Sequence, residues 1–259
     1  MADDESRLLA DMRRLSKEHP RFGYRRIHRL LLREGWRVNH KRVQRLWRRE
    51  GLRVPRKRVK RRSPGHSGNS CTLKRAEHKD HVWSYDFVFD RTEDGRQLKI
   101  LTMVDEYTRE ALSIHVARSI TSQDVVDELA GIMIQRGSPR CIRSDNGPEF
   151  IAEAIKKWLG SIGTDTLFVE PGSPWENAYV ESFNGKLRDE LLNGEIFVGL
   201  AEARYLADRY RIDYNKNRPH SSLGYMTPRS LRRAVRPPTP LRSVSGHTAR
   251  RAVQRVLVC

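Results

Sequence analysis

The stretch His81-Val-Trp-Ser-Tyr-Asp-Phe-Val-Phe89 decides the fold. Trp83, Tyr85, Phe87 and Phe89 alternate on one side while Ser84, Asp86 and Asp90 alternate on the other, the two-residue period of a β-strand. Working outward, Glu93-Asp-Gly95 supplies a turn, and residues 99–104 and 110–116 read as two more strands, an antiparallel start to a sheet. The pattern then changes. Residues 121–135 read as a helix, and Cys141-Ile-Arg143 as a short strand running into the turn residues Ser144-Asp-Asn-Gly-Pro148. Residues 149–159 read as a helix, 166–169 as a fifth strand, and 176–192 as a long helix. Antiparallel strands followed by alternating helices and strands predict an α/β fold, a mixed sheet flanked by helices.

Upstream of this region the chain is different in kind. The 259 residues carry a net charge of +18, and residues 13–62 hold 21 Lys/Arg against three acids, Glu18, Glu34 and Glu50. That block accounts for the whole excess, because the remainder holds 29 basic and 29 acidic residues. Such a block is drawn to polyanions: each phosphate neutralised by Lys or Arg releases condensed counterions. RNA fits the charge as well as DNA does, and an anionic membrane surface fits it less often.

Local pattern narrows the choice. Residues 6–18 and 24–34 read as helices, the second with Ile27, Leu30 and Leu31 on one side. Asn39 is placed to cap a third helix over residues 40–50, with Val43, Leu46 and Trp47 inward and Gly51 closing it. Lys41, Arg42, Gln44, Arg45, Arg48 and Arg49 point largely outward. A small all-α helix-turn-helix is predicted, with its last helix suited to a major groove, and Arg25 and Arg26 join its expected DNA contacts. The same helix is equally that of a module touching only phosphates. The expected domains are a helical head at residues 1–52, a basic linker rich in Pro, Gly and Ser at 53–76, a catalytic core at 77–235 and a tail of unassigned role at 236–259.

Several classes are set aside. Cys71, Cys141 and Cys259 are far apart and form no Cys-x-x-Cys pair, so neither a disulfide framework nor a zinc site is expected. No apolar run approaches a membrane span, and the acidic start Met-Ala-Asp-Asp-Glu is unlike a signal peptide, so a soluble protein of the cytoplasm, with no membrane partner, is the expectation.

The carboxylates carry the chemistry. Asp is unfavourable within a strand and costly to bury alone, so Asp86 among aromatic neighbours needs solvent, a partner or a cation. Taken singly, Asp86 reads as an acid on an open sheet face, Asp145 as a turn former before Asn-Gly and Glu181 as a helix-surface acid. On the last helix, however, Val180, Phe183, Leu187 and Leu191 form an apolar stripe, and Asn177, Glu181, Asn184 and Arg188 a separate polar one able to face the sheet edge. Asp86, Asp145 and Glu181 converging there would make a hard-oxygen site for two Mg²⁺ or Mn²⁺ ions, suited to in-line phosphoryl transfer.

Three segments, Trp83-Ser-Tyr-Asp86, Ser144-Asp-Asn-Gly-Pro-Glu-Phe150 and Glu176-Asn-Ala-Tyr-Val-Glu-Ser-Phe-Asn-Gly-Lys-Leu-Arg-Asp-Glu190, resemble the signatures of retroviral-type integrases and transposases. Asp145 and Glu181 are separated by 35 residues, the spacing after which the group is named. With Phe22-Gly-Tyr-Arg-Arg-Ile-His28 and Tyr214-Asn-Lys-Asn-Arg-Pro-His-Ser-Ser-Leu-Gly-Tyr-Met-Thr-Pro228, the resemblance is to the second-reading-frame (OrfB-type) transposases of the insertion-sequence-three family, over roughly residues 10–232. The resemblance implies a ribonuclease-H-like fold and a Mg²⁺-dependent triad of Asp86, Asp145 and Glu181, both catalytic and metal-binding. It implies cleavage and joining of double-stranded DNA at element ends and target, a homo-oligomer, and an upstream-frame OrfA-type partner or fusion. Asn177, Lys186 and Arg188 are added as expected DNA contacts from their place beside the glutamate. An idle DNA-binding regulator and an RNA-cleaving hydrolase are the other functions such a chain could have.

Overall fold

The computed structural model describes residues 2–55, 75–144, 149–168 and 177–235. These fall into two compact units, one of residues 2–55 with 219–226, the other of the remaining described residues. Residues 219–226 thus group with the helical head, whereas the sequence assigns them to the core.

In the head, α1 (Ala2–Glu18), α2 (Tyr24–Arg33) and α3 (His40–Arg49) surround one apolar cluster. Leu8, Met12 and Leu15 meet Ile27, Leu30 and Leu31, and these meet Val43, Leu46 and Trp47, all buried. The three-and-four spacing of those residues is what makes each helix amphipathic. The Asn39 side chain accepts from the Lys41 N–H at 2.9 Å, the expected cap. Gly35 and Gly51 follow α2 and α3 with φ of +93° and +65°, the left-handed stop that a side chain would resist.

The second unit is built on five strands: β1 (Val82–Arg91), β2 (Gln97–Asp105), β3 (Ala111–Ala117), β4 (Cys141–Ser144) and β5 (Asp165–Phe168). Their order is β3-β2-β1-β4-β5, antiparallel from β3 to β1 and parallel from β1 to β5. The helices are α4 (Ser122–Arg136), α5 (Glu149–Ser161), α6 (Ala178–Leu187), α7 (Leu200–Lys216) and the short α8 (Pro228–Ala234). Trp83, Tyr85, Leu101 and Met103 pack on one sheet face with Val125, Leu129 and Met133 of α4 and Ile155 and Leu159 of α5. Val88, Ile100 and Val104 pack on the opposite face with Val180, Phe183 and Leu187 of α6 and Ala203, Ala207 and Tyr214 of α7. A sheet so covered buries both sides of its central strand.

Three features differ from the sequence expectation. Phe89, placed on the same side as Trp83 and Tyr85, is 50% exposed and lies outside the apolar cluster those two join. The helix expected over 176–192 is α-helical only to Leu187 and continues as a π-helical turn, Arg188–Leu192. Its wider i→i+5 closure lets Leu191 and Leu192 enter the core while Glu190 meets Arg218 of the segment after α7. The 17-residue α7 has no counterpart in the sequence expectation; of its buried positions Ala203, Ala207, Tyr214 and Asn215, two are small and one is polar, which weakens the hydrophobic periodicity.

Candidate active site

Asp86 lies in mid-strand on β1, which is bonded to β2 on one side and β4 on the other. Its side chain faces α6, so it does not stand on an open sheet face. One carboxylate oxygen accepts from the Phe87 N–H at 2.7 Å, the other from Asn184 Nδ2 at 2.8 Å. Thr102, opposite Asp86 on β2, donates its hydroxyl to Asn184 Oδ1 at 2.8 Å, with the Asp86 carbonyl oxygen 3.1 Å away as an alternative acceptor. Thr102 is fully buried and Asn184 is 6% exposed, so the carboxylate of the half-buried Asp86 is held by a hydrogen-bond chain whose other members are shielded from water.

Glu181 precedes Asn184 by three residues, hence shares its side of α6, and is exposed. Two of the three expected metal ligands therefore stand on elements that pack together, a strand and a helix bound by Asn184. Asp145 lies outside the described residues. Carboxylate oxygens such as those of Asp86 and Glu181 are of the hard, anionic kind that Mg²⁺ or Mn²⁺ prefers.

Around them the expected DNA contacts fall in varied settings. Asn177 is the residue before α6 and is 4% exposed, with no hydrogen-bond partner for its Oδ1 among the described residues. Lys186 Nζ donates to the Ser182 carbonyl and hydroxyl at 3.1 and 2.8 Å. Arg188 opens the π-helical turn and is exposed. In the head, Lys41, Arg45 and Arg48 are exposed, and Gln44 is half-buried. Arg42 pairs with Asp4 at 3.0 Å and Arg49 with Glu5 at 2.7 Å. The hydrogen bond from Arg49 holds the Glu5 carboxyl below its usual range. Arg25 is exposed beside the Tyr24 hydroxyl, and the Arg26 guanidinium lies 5.1 Å from the centre of the Phe22 ring.

Sequence reasoning puts Asn184 on the polar stripe without giving it a role. It also passes over a buried polar group behind Asp86. Ser84, two residues earlier on the same face, donates its hydroxyl to Glu106 Oε1. Arg143, opposite Ser84 on β4, donates from Nε to the same oxygen at 2.9 Å. Burial pushes the Glu106 carboxyl up from its usual range, against the opposing pull of Ser84, Arg143 and Arg109. Asp105, the last residue of β2, is fully buried and accepts the Asp80 and Tyr107 N–H groups at 2.9 and 2.8 Å.

Comparison with known proteins matches this architecture. Integrase core domain models match residues 76–174 and 162–228, and an HTH-like domain model matches residues 3–60. The insertion element IS407 uncharacterized 31.7 kDa protein of Burkholderia multivorans is 44% identical over 227 residues, covering 87% of this chain and 81% of that protein. The chain belongs to the insertion-sequence-three family of integrase-core transposases. A second member, the insertion element IS476 uncharacterized 39.2 kDa protein of Xanthomonas euvesicatoria, is 44% identical over 85% of this chain, which spans 63% of that protein. A more distant one, the transposase InsF for insertion sequence IS3A of Escherichia coli, is 27% identical over 56% of this chain and 51% of its own length. The fold of the family is also that of a chain in the simian T-cell lymphotropic virus intasome in complex with PP2A regulatory subunit B56 gamma. That chain has a TM-score of 0.56 and 17% identity over 81% of this chain and 72% of its own. Among the described residues no helix is long and apolar enough to cross a membrane.

Proposed function

We propose that the chain cleaves and joins double-stranded DNA at the ends of an insertion sequence, with Asp86, Asp145 and Glu181 holding two divalent ions, Mg²⁺ or Mn²⁺. One observation carries the reading: Asn184 of α6 donates to the Asp86 carboxylate of β1, which seats the Glu181 helix against the Asp86 strand in an integrase-core chain. Bound ions of this kind lower the barrier to attack on a phosphodiester by stabilising the entering and leaving oxygens.

The chain's own residues orient the reactants. The Thr102–Asn184 pair fixes one Asp86 oxygen, and α6 carries Glu181 to the same side of the sheet, so the carboxylates are organised before DNA arrives. In the joining step a 3′-hydroxyl at the element end forms a new P–O bond to a target phosphorus. The target's own 3′ oxygen leaves as a hydroxyl, so the number of phosphodiesters is unchanged. The exposed Lys41, Arg45 and Arg48 of α3 supply phosphate contacts, and Lys186 and Arg188 lie on the helix that bears Glu181 and the turn that follows it. An oligomer and an upstream-frame partner or fusion complete the assembly that holds two DNA ends.

The test is a strand-transfer assay with labelled end DNA and Mg²⁺, comparing the wild-type chain with Glu181→Gln, each alone and with the upstream-frame protein. Joining by the wild type that disappears in Glu181→Gln, with DNA binding kept, is the expected outcome. Retained binding with no joining by the wild type in either setting would overturn the reading in favour of a DNA-binding regulator.

A further inference from the structure

The outward polar residues of α3 are not equivalent. Lys41 and Arg45 lie along its middle, Gln44 and Arg48 on one flank, and Arg42 and Arg49, two turns apart, on the other. That last flank meets the first turn of α1. Arg42 donates from Nη1 to Asp4 Oδ2 at 3.0 Å, and Arg49 from Nη2 to Glu5 Oε1 at 2.7 Å. The second Glu5 oxygen lies 3.9 Å from Arg42 Nη2, so one carboxylate spans both guanidinium groups. The four side chains are 31–53% exposed. Ion pairs so open to water add little to stability, and α1 is held in the head by the buried Leu8, Met12 and Leu15. Their position gives the pairs another consequence. A helix lying in a major groove has phosphates along its flanks, and on this flank two carboxylates already occupy the cations that a phosphate would take.

We propose that Asp4 and Glu5 are internal competitors for DNA phosphate, which hold Arg42 and Arg49 so that α3 engages a duplex through Lys41, Arg45 and Arg48 and uses its α1 flank only where a phosphate displaces the acids. The inference rests on the reading of α3 as a phosphate-contacting helix. Exchange of carboxylate for phosphate leaves each guanidinium paired and returns an already exposed acid to water. The competition lowers affinity for every duplex, and lowers it most for one that sets no phosphate on this flank. Asp4 and Glu5 are positioning residues on this view, acting through two guanidinium groups and touching no DNA themselves.

The experiment measures binding of the full chain to a fluorescent duplex DNA by anisotropy across a salt series, with thermal unfolding of the same samples. Asp4→Asn/Glu5→Gln is expected to tighten binding roughly fivefold at low salt, the scale of an exposed ion pair relieved. The slope of log affinity against log salt should steepen by about 0.9 for each guanidinium that gains a phosphate. In an Arg42→Gln/Arg49→Gln background the same acid changes should leave affinity within about twofold, since only screened long-range repulsion is then relieved. Glu5→Gln alone, which meets both guanidinium groups, should give part of the gain and provides the test should the double variant not fold. No tightening in a folded acid variant, or equal tightening in the Arg42→Gln/Arg49→Gln background, would overturn the inference. Arg45→Gln/Arg48→Gln that leaves affinity and slope unchanged would instead overturn the reading of α3 beneath it, and the inference with it.

Discussion

Asn184→Ala removes the side chain that joins α6 to the Asp86 carboxylate. Two hydrogen bonds go with it. The bond to the Asp86 carboxylate has a charged acceptor, worth about 1.5–3 kcal/mol, and the bond from Thr102 is neutral, worth about 1 kcal/mol. The fully buried Thr102 hydroxyl keeps the Asp86 carbonyl oxygen as an acceptor, so no further penalty falls there. The expected loss is about 3 kcal/mol of unfolding free energy, measured by urea denaturation with an unchanged slope. The functional signature is separate: an Asp86 carboxylate held without Asn184 should need several-fold more Mg²⁺ for half-maximal joining, with excess Mg²⁺ restoring part of the rate. A variant that loses less than about 1 kcal/mol and joins DNA at the wild-type Mg²⁺ requirement would refute the reasoning, because neither bond would then organise the site.

Other perturbations test other parts of the molecule. Arg218, 2% exposed, donates to both oxygens of Glu190 at 2.7 and 2.6 Å, so Arg218→Met or Glu190→Gln alone should cost about 3–5 kcal/mol by leaving a buried charge without its counter-ion. The double variant should cost less than either single one in the same denaturation experiment, and additive losses would contradict this. Thr121 and Asp124 form a capping box at the start of α4, and Thr121→Ala should lower stability by about 1 kcal/mol. The Thr121 backbone and hydroxyl donors hold the Asp124 carboxyl below its ordinary value of 3.8, so the stabilisation is full above that pH and fades as pH falls toward the folded value. Asp124→Asn should therefore flatten the acid limb of a stability-against-pH profile. Replacing the exposed Arg45 and Arg48 with Gln should reduce the slope of log affinity for duplex DNA against log salt by roughly 0.9 for each phosphate no longer neutralised, and an unchanged slope would take both off the interface.

Most of the fold is legible in the sequence because two periodicities are strong in it. Alternation at Trp83, Tyr85 and Phe87 marks the central strand, and the stripe Val180, Phe183, Leu187, Leu191 marks the helix that packs on it. What stays hidden depends on contacts between elements distant in sequence. Nothing local shows that Glu190 meets a buried Arg218, the pairing that accompanies the π-helical turn in place of a continuous helix. Nor does a lone Asn on a polar stripe declare that it bonds a strand residue 98 positions earlier. Asp86 and Glu181 are proposed as ligands through the family resemblance, whereas nothing local shows that Arg143 lies opposite Ser84 in the sheet or that Ser84 bonds Glu106.

The position of β1 in the sheet bears on how the chain is made. Its antiparallel partner β2 follows after a short turn, and the pairing is local and quick to form, but its parallel partner β4 begins only at Cys141 and must return through α4. Until that crossover closes, the strand that bears Asp86 is an open edge, flanked by the apolar Trp83 and Tyr85, with a row of unpaired N–H and C=O groups. A product truncated before Cys141 would keep that edge permanently and recruit strands from other chains, so aborted translation of this gene should give insoluble material instead of a soluble inhibitor.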